Sequence, residues 1–420
     1  MQQDIVPFVV PSLSDKQRTQ LQEKLADTIY PNELETNVGW EYGAPTWAVK
    51  PMAETWQHNY DFEVARQEIN QWKHYRTKID DLNIHFIHEP STNPDAIPIV
   101  LCHGWPSTFY EFHKVIQPLR DGANGTQAFH VVVPSLPGFG FSDAPTSSGF
   151  GVVKMSAMMN ELMVKLGYTK YVWSGGDWGA IIGKYTAANH SDNCKAFHTN
   201  LPFFLPPVPT PRNLLFHPLN VVKFFSSLLL GFNWVYGQGK TVLNWATFAN
   251  AELYHGCGYR AIQGTRPYTL AYGLSDSPLG MMAWMLEKYH EWTFHADDKE
   301  GEKVALPPTI TPDEFLTQVT LYWMTNSMSS SIRIYYECLH HYEMIKVTLP
   351  RVNVPTAVSS FAYDIAKLPK EWLETSSNLQ HYNEHAVGGH FPGLEADELL
   401  VQDIQHFGRK LRKMNKSSKL

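Results

Sequence analysis

The sequence predicts an α/β fold: a mostly parallel central sheet flanked by helices, with an inserted helical cap and an N-terminal wrapping segment. Three observations carry this. Short continuous apolar runs, such as Pro98-Ile99-Val100-Leu101-Cys102 and Val131-Val132-Val133-Pro134, read as strands buried on both faces and are followed by helical patterns. The stretch Tyr171-Val172-Trp173-Ser174-Gly175-Gly176-Asp177-Trp178-Gly179 runs from an apolar strand through a sharp turn into a helix. The β/α rhythm then breaks at a proline-rich linker (Pro202, Pro206, Pro207, Pro209, Pro211) and resumes only at Val352.

In chain order, residues 1–80 form the wrapping segment. Ser14-Asp15-Lys16-Gln17 is a capping-box pattern, and Leu21, Leu25 and Ile29 continue a helix to about Tyr30. A Trp-rich, Gly/Pro-punctuated stretch leads to a second helix from about Glu63 to Tyr75. The first part of the sheet domain occupies 81–205, with strands from Asn83, at Pro98–Cys102, Val131–Pro134, Tyr171–Trp173 and Ala196–Asn200, and a helix around Lys154 to Leu166. Residues 206–348 are aromatic, Met-rich and helical in pattern, and are predicted to be the cap. The sheet domain closes over 349–412 with a strand at Val352–Phe361 and a helix from Asp397 to Arg412, and 413–420 is a solvated tail.

A chain of 420 residues can bury a large core, and a net charge of −7 argues against a nucleic-acid partner. The four cysteines, Cys102, Cys194, Cys257 and Cys338, are widely spaced, which predicts reduced thiols rather than disulfides or a zinc site. No metal and no cofactor is expected. The N-terminus has no basic region before its apolar run, and that run is broken by Pro7, so neither a signal peptide nor a membrane anchor is expected. The longest apolar stretch, Val221 to Tyr236, contains Lys223, Ser226, Ser227 and Asn233; it is too short and polar to span a bilayer, and burial in the cap is its expected role. The chain ends in Ser418-Lys419-Leu420, the peroxisomal address, so the import receptor is an expected partner and the cytoplasm the alternative location.

The chemistry centres on Asp177. Gly175-Gly176-Asp177-Trp178-Gly179 has the layout of the nucleophile elbow of α/β-hydrolases, with aspartate as the presented residue. A serine attacking an sp3 carbon would leave an inert ether, whereas a carboxylate leaves an ester that water can cleave. Aspartate here therefore points to an alkyl electrophile such as an epoxide or a halide; in isolation, the same residue could simply cap a helix. Asp364, just beyond the resumed strand, and His390, in the loop Val387-Gly388-Gly389-His390-Phe391, complete the order nucleophile, acid, histidine. His103-Gly104-Trp105-Pro106 follows the strand ending at Cys102. There the backbone N–H of Trp105, with that of Trp178, would form an oxyanion hole, and His103, Gly104 and Pro106 would line the substrate side.

These motifs, with Trp40, Tyr42-Gly43, Trp56, Tyr60-Asp61, Ile84-His85-Phe86-Ile87-His88, Leu274–Gly280 and Leu321-Tyr322-Trp323, resemble epoxide hydrolases of the microsomal type over nearly the whole chain. The resemblance implies a soluble, fungal-like form acting on a small lipophilic epoxide, and a homodimer as in fungal relatives. It also implies two cap tyrosines that hydrogen-bond the epoxide oxygen; the matching contexts give Tyr259 and Tyr335, with Tyr336 one place away. Two positions depart from the family's pattern: Ser107 stands where glycine commonly follows, and Asp364 replaces a glutamate. Haloalkane dehalogenases share the Asp elbow, but Trp105 and the cap tyrosines favour an epoxide. A ring-opening cyclase of a biosynthetic pathway would need the tyrosines without a complete triad, and a non-catalytic receptor on this scaffold would be expected to lack an acting residue.

Overall fold

The computed structural model describes residues 4–36, 38–122, 126–237, 258–296 and 303–417. The C-terminal Ser418-Lys419-Leu420 and Cys257 lie outside the described residues. The first part of the chain contributes β1 (Ile5–Phe8), α1 (Asp15–Ala26), α2 (Thr46–His58), α3 (Phe62–Ile69), β2 (His74–Ile79), β3 (Leu82–Glu89), β4 (Ile97–Cys102), α4 (Ile116–Asp121) and β5 (Phe129–Pro134). The elements α5 (Val152–Lys165), β6 (Tyr171–Gly175), α6 (Asp177–Asn189) and β7 (Cys194–Thr199) follow. Next come α7 (Pro211–Phe216), α8 (Pro218–Leu230), α9 (Phe232–Tyr236), α10 (Gly258–Thr265), α11 (Pro267–Asp276), α12 (Pro278–Glu291), α13 (Pro312–Thr325), α14 (Met328–Ser331), α15 (Arg333–His340) and α16 (Glu343–Thr348). The chain closes with β8 (Val352–Ser360), α17 (Lys370–Ser376), β9 (Ser377–Glu384), α18 (Pro392–Glu395) and α19 (Asp397–Ser417).

The strands form one sheet in the order β1-β2-β3-β5-β4-β6-β7-β8-β9. From β5 to β9 every pairing is parallel, and β1, β2 and β3 extend the sheet antiparallel at one edge. Strand periodicity explains why the central runs are apolar throughout. In β4, Val100 and Cys102 pack into one buried cluster with Met155, Met159 and Leu162 of α5, while Ile99 and Leu101 join Leu400, Ile404 and Phe407 of α19 on the other side. Helices thus cover both faces, and the sheet's C-terminal edge is left to carry loops.

Three elements differ from expectation. The N-terminal segment does more than wrap, because β1 and β2 are strands of the sheet itself, and Tyr75, predicted to end a helix, lies in β2. Pro7 fits because β1 is an edge strand, where a missing N–H costs no ladder bond. The strand β9 went unrecognised because its sequence, Ser377 to Glu384, is polar and half-buried at the opposite edge. Finally, α8 is not enclosed by the cap. It buries Val221, Phe224 and Ser227 but exposes Leu219, Val222, Phe225, Leu229 and Leu230, because only one face meets neighbouring residues such as Trp372. No described helix is long and apolar enough to cross a membrane.

Between residues 206 and 348 the described elements are all helices. The wrapping segment ties them down: Trp56 Nε1 donates to Thr320 Oγ1 at 3.0 Å, the Tyr60 and Thr317 hydroxyls pair at 2.9 Å, and Lys24 Nζ meets Asp276 Oδ1 at 2.8 Å.

At the far edge, a buried carboxylate joins β8 and β9 to the terminal helix. Asp403 accepts from Ser359 Oγ at 2.6 Å, His385 Nε2 at 2.7 Å and Asn383 Nδ2 at 2.8 Å. Burial alone would raise its pKa, but His381 at 3.7 Å and the bonds from His385, Ser359 and Asn383 outweigh this and hold it well below the ordinary carboxylate range. The pKa is depressed in the folded state, so this stabilisation is present above the ordinary carboxylate pKa and is lost as pH falls through the native one. Asp403→Ala should lower unfolding stability by about 3 kcal/mol at neutral pH. Urea titrations at pH 7 and at acid pH should show the difference between variant and native protein shrinking on acidification.

Candidate active site

The elbow is set by backbone geometry. Asp177 has a φ of 46°, an unusual conformation for a residue with a side chain, and it starts α6 directly after Gly176. Neighbouring loops can approach only where side chains are missing. A Cβ on Gly179 would overlap the Cys102 carbonyl, and one on Gly104 would overlap the Asp177 carboxylate. The loop after β4 therefore closes directly over Asp177, and the Trp105 N–H donates to Asp177 Oδ1 at 2.8 Å. Trp178 follows in the first helical turn.

On the other side of Asp177, His390 Nε2 lies 3.4 Å from Oδ2, while His390 Nδ1 lies 2.9 Å from Asp364 Oδ1. The side chains of His390, Asp364 and Asp177 are 0, 1 and 16% exposed, so only the elbow carboxylate of the three meets an open space. Burial on its own would lower the His390 pKa. The charges and hydrogen bonds of Asp364 and Asp177 reverse this and raise it to about 10. The 3.4 Å approach of Nε2 to Asp177 Oδ2 is its one polar contact among the described residues, and it makes no other hydrogen bond there.

Two residues that the sequence analysis missed complete the support. Asn200, immediately after β7, donates from Nδ2 to Asp364 Oδ2 at 3.0 Å and so fixes the second carboxylate oxygen. Its position beyond a strand's C-terminal end was the available signal. Trp292, just after α12, accepts the His390 N–H through its carbonyl at 2.7 Å and sets its ring edge-on to the imidazole at 4.9 Å. A tryptophan in an aromatic-rich helical stretch gives no signal for this.

Above the carboxylate, Tyr335 of α15 is buried, and its hydroxyl has no hydrogen-bond partner among the described residues. Its ring stands edge-on to Trp178 at 4.8 Å, Trp105 at 5.8 Å and Tyr259 at 5.7 Å. Burial, then Tyr259 and the Asp177 charge, hold the Tyr335 phenol well above its ordinary pKa, so it is a neutral donor. The Tyr259 ring stacks on Trp105 at 5.5 Å. Tyr336 points elsewhere and stacks on His340 at 4.0 Å, as helical geometry requires of a residue 100° around from Tyr335.

The structure corrects one assignment, that of His103 to substrate contact. Its ring is fully buried: Nε2 accepts the Leu136 N–H at 3.3 Å, and Nδ1 lies 3.1 Å from the Gly104 carbonyl. Burial, opposed by Gly104 and Asp177, lowers its pKa to about 4. A neutral imidazole with both nitrogens committed to backbone holds two loops together and has nothing to offer a ligand. Pro106, joined to Trp105 by a cis peptide bond, is buried in the same loop.

The family described as epoxide hydrolase N terminus matches residues 5–112, and the alpha/beta hydrolase fold matches residues 97–233. Epoxide hydrolase 1 of Sus scrofa is 33% identical over 418 residues, covering 96% of this chain and 88% of the relative. The chain belongs to the epoxide hydrolase family. Among solved structures, this epoxide hydrolase resembles the juvenile hormone epoxide hydrolase of Bombyx mori (TM-score 0.85, 28% identity, 99% of this chain and 97% of that one). It also resembles the Aspergillus niger epoxide hydrolase, with a TM-score of 0.79, 28% identity and 96% of each chain covered.

The close approach at Gly104 yields a direct test on this enzyme. Gly104→Ala should displace the Asp177 carboxylate and cut epoxide hydrolysis at least a hundredfold. The thermal unfolding midpoint should fall far less than a core truncation would lower it, and steady-state kinetics beside a melting curve would show both.

Proposed function

We propose that this epoxide hydrolase converts a lipophilic epoxide to a vicinal diol through a covalent ester on Asp177. The observation that carries the reading is the division of labour between the two Asp177 oxygens: Oδ1 receives the Trp105 N–H, and Oδ2 lies on the His390 side, free to attack. Oδ2 bonds to an epoxide carbon, the C–O bond breaks towards the ring oxygen, and Tyr259 and Tyr335 bind that oxygen while one of the two phenols passes it a proton. The aromatic enclosure of Trp105, Trp178, Tyr259, Trp292 and Tyr335 suits an apolar substrate.

Electrostatics then supply the change of step. In the free enzyme His390 sits between two carboxylates and holds a proton. Esterification removes the Asp177 charge and leaves Asp364 alone beside the imidazole, so the His390 proton is released and replaces the one that the phenol passed to the opened ring. The net charge of the site is unchanged across the step. At this distance the lost attraction is on the order of a few kcal/mol, enough to convert a cation into a base. Neutral His390, oriented by Asp364, deprotonates a water that attacks the Asp177 acyl carbon. The oxyanion forms on Oδ1, at the Trp105 N–H and that of Trp178.

His390→Gln should consume about one equivalent of epoxide per site and stop, with the adduct on the Asp177 peptide in the mass spectrum, whereas Asp177→Ala should form none. In isotopically labelled water, a single native turnover should put the label on an Asp177 oxygen. Label found only in the first-turnover diol would mean direct attack by water.

We further propose import into peroxisomes, on the terminal Ser418-Lys419-Leu420. An N-terminal fluorescent fusion should give peroxisomal puncta, and deleting the last three residues should disperse them. Diffuse signal from the intact chain would defeat this proposal.

A further inference from the structure

Lys288 on α12 is a charge placed where packing alone would favour an apolar side chain. Its neighbours on the helix, Met281, Met282, Met285, Leu286 and Tyr289, are all buried, and its own side chain is only 2% exposed. Burying an ammonium costs several kcal/mol of hydration. Two carboxylates of the same helix offset part of that cost: Lys288 Nζ pairs with Glu287 Oε1 and lies 3.7 Å from Glu291 Oε2. The cation's other side faces aromatic rings. It lies 4.9 Å from the centroid of Tyr259 and 5.7 Å from that of Trp292.

The geometry points to Lys288 as a positioning residue that acts through Tyr259, its buried ammonium stabilising the negative charge that collects on the phenol as the proton passes to the opening epoxide. This inference rests on Tyr259 being one of the two oxygen-binding acids. A cation over an aromatic face is attracted to the ring's electron density, and the attraction grows when the ring carries a phenolate charge in a desolvated site. The effect is therefore larger in the transition state than in the resting enzyme, as catalysis requires. The same cation lies 5.7 Å from the ring of Trp292, whose carbonyl accepts the His390 N–H.

Tyr259 does not sit beside Lys288 alone. Tyr335 faces it from α15, itself under the charge of Asp177, His390 lies behind Trp292, and Glu287 and Glu291 balance Lys288 on α12. The Asp177 charge opposes loss of the Tyr335 proton, and Tyr335 has no cation at its ring among the described residues, whereas Tyr259 has Lys288 at 4.9 Å. The two phenols are thus unequal. Tyr259 is the one equipped to release a proton, and Tyr335 the one equipped to donate a hydrogen bond while keeping its own.

A double-mutant cycle on the alkylation step tests this, read by single-turnover burst kinetics with a simple aryl epoxide. Lys288→Met should slow alkylation about tenfold in the native background and less than twofold in a Tyr259→Phe background. Lys288→Arg, which keeps a cation over the ring, should restore most of the rate. Lys288→Gln, able to hydrogen-bond Glu287, serves if the methionine variant does not fold. Equal losses from Lys288→Met in both backgrounds would overturn the inference and reduce Lys288 to packing. A Tyr259→Phe enzyme that alkylates at the native rate would instead remove the assignment of Tyr259 as an acid. A direct readout is 3-fluorotyrosine placed at position 259 and titrated by fluorine NMR: its midpoint should rise when Lys288 is replaced by Met or Gln, and an unmoved midpoint would also overturn the inference.

Discussion

The positive φ of Asp177 is the constraint on which the rest of the site depends. A carboxylate at the tip of a relaxed strand-to-helix turn would curl back to cap its own helix, as aspartate commonly does. Here the turn is wound so tightly that the side chain is thrown forward, and strain of this kind persists only where the surroundings over-determine it. The glycines at 104 and 179 mark what does so: the loop after β4 presses against the elbow from two directions, leaving no room for a side chain at either position. The packing that imposes the strain also brings the Trp105 N–H onto Oδ1, so the cost of the conformation and the oxyanion donor have one structural origin.

Much of this was legible in the sequence, and the reasons are specific. Buried parallel strands are apolar at every position, so the central runs stood out, and Gly-Gly-Asp-Trp-Gly carried its own steric explanation. Asp364 and His390 were found because strand ends and a Gly-Gly loop are marked by composition. The edge strands were missed for the opposite reason: β1 is four residues long, and β9 is polar because half its surface faces solvent. Trp292 was illegible because its partner, His390, is distant along the chain, and Asn200 was marked only by its position beyond a strand end. A histidine within a strong motif misled in turn, since His103 looks like a ligand-facing residue and is a buried wedge between two loops.

Those distant partners show how core and cap are coupled. His390 belongs to the sheet domain by sequence, yet its N–H is held by the carbonyl of Trp292, at the end of a cap helix. Tyr259 and Tyr335 are carried by two other helices of the 206–348 region, α10 and α15, and their rings pack on Trp105 and Trp178 beside the sheet. His390 is therefore held from both sides, its imidazole by Asp364 of the sheet region and its backbone N–H by Trp292.

The wrapping segment gives this arrangement its rigidity. Trp56 and Tyr60 reach α13, and Lys24 reaches α11, while β1 and β2 of the same segment are hydrogen-bonded into the sheet. A single stretch of chain thus bolts the cap to the core at points far from the chemistry. A misplacement of about 1 Å between reacting groups costs on the order of a hundredfold in rate, a penalty that a loosely hinged cap would incur on many encounters. In the proposed mechanism the acting groups come from both the sheet and the 206–348 helices, and these contacts join the two without passing through the substrate.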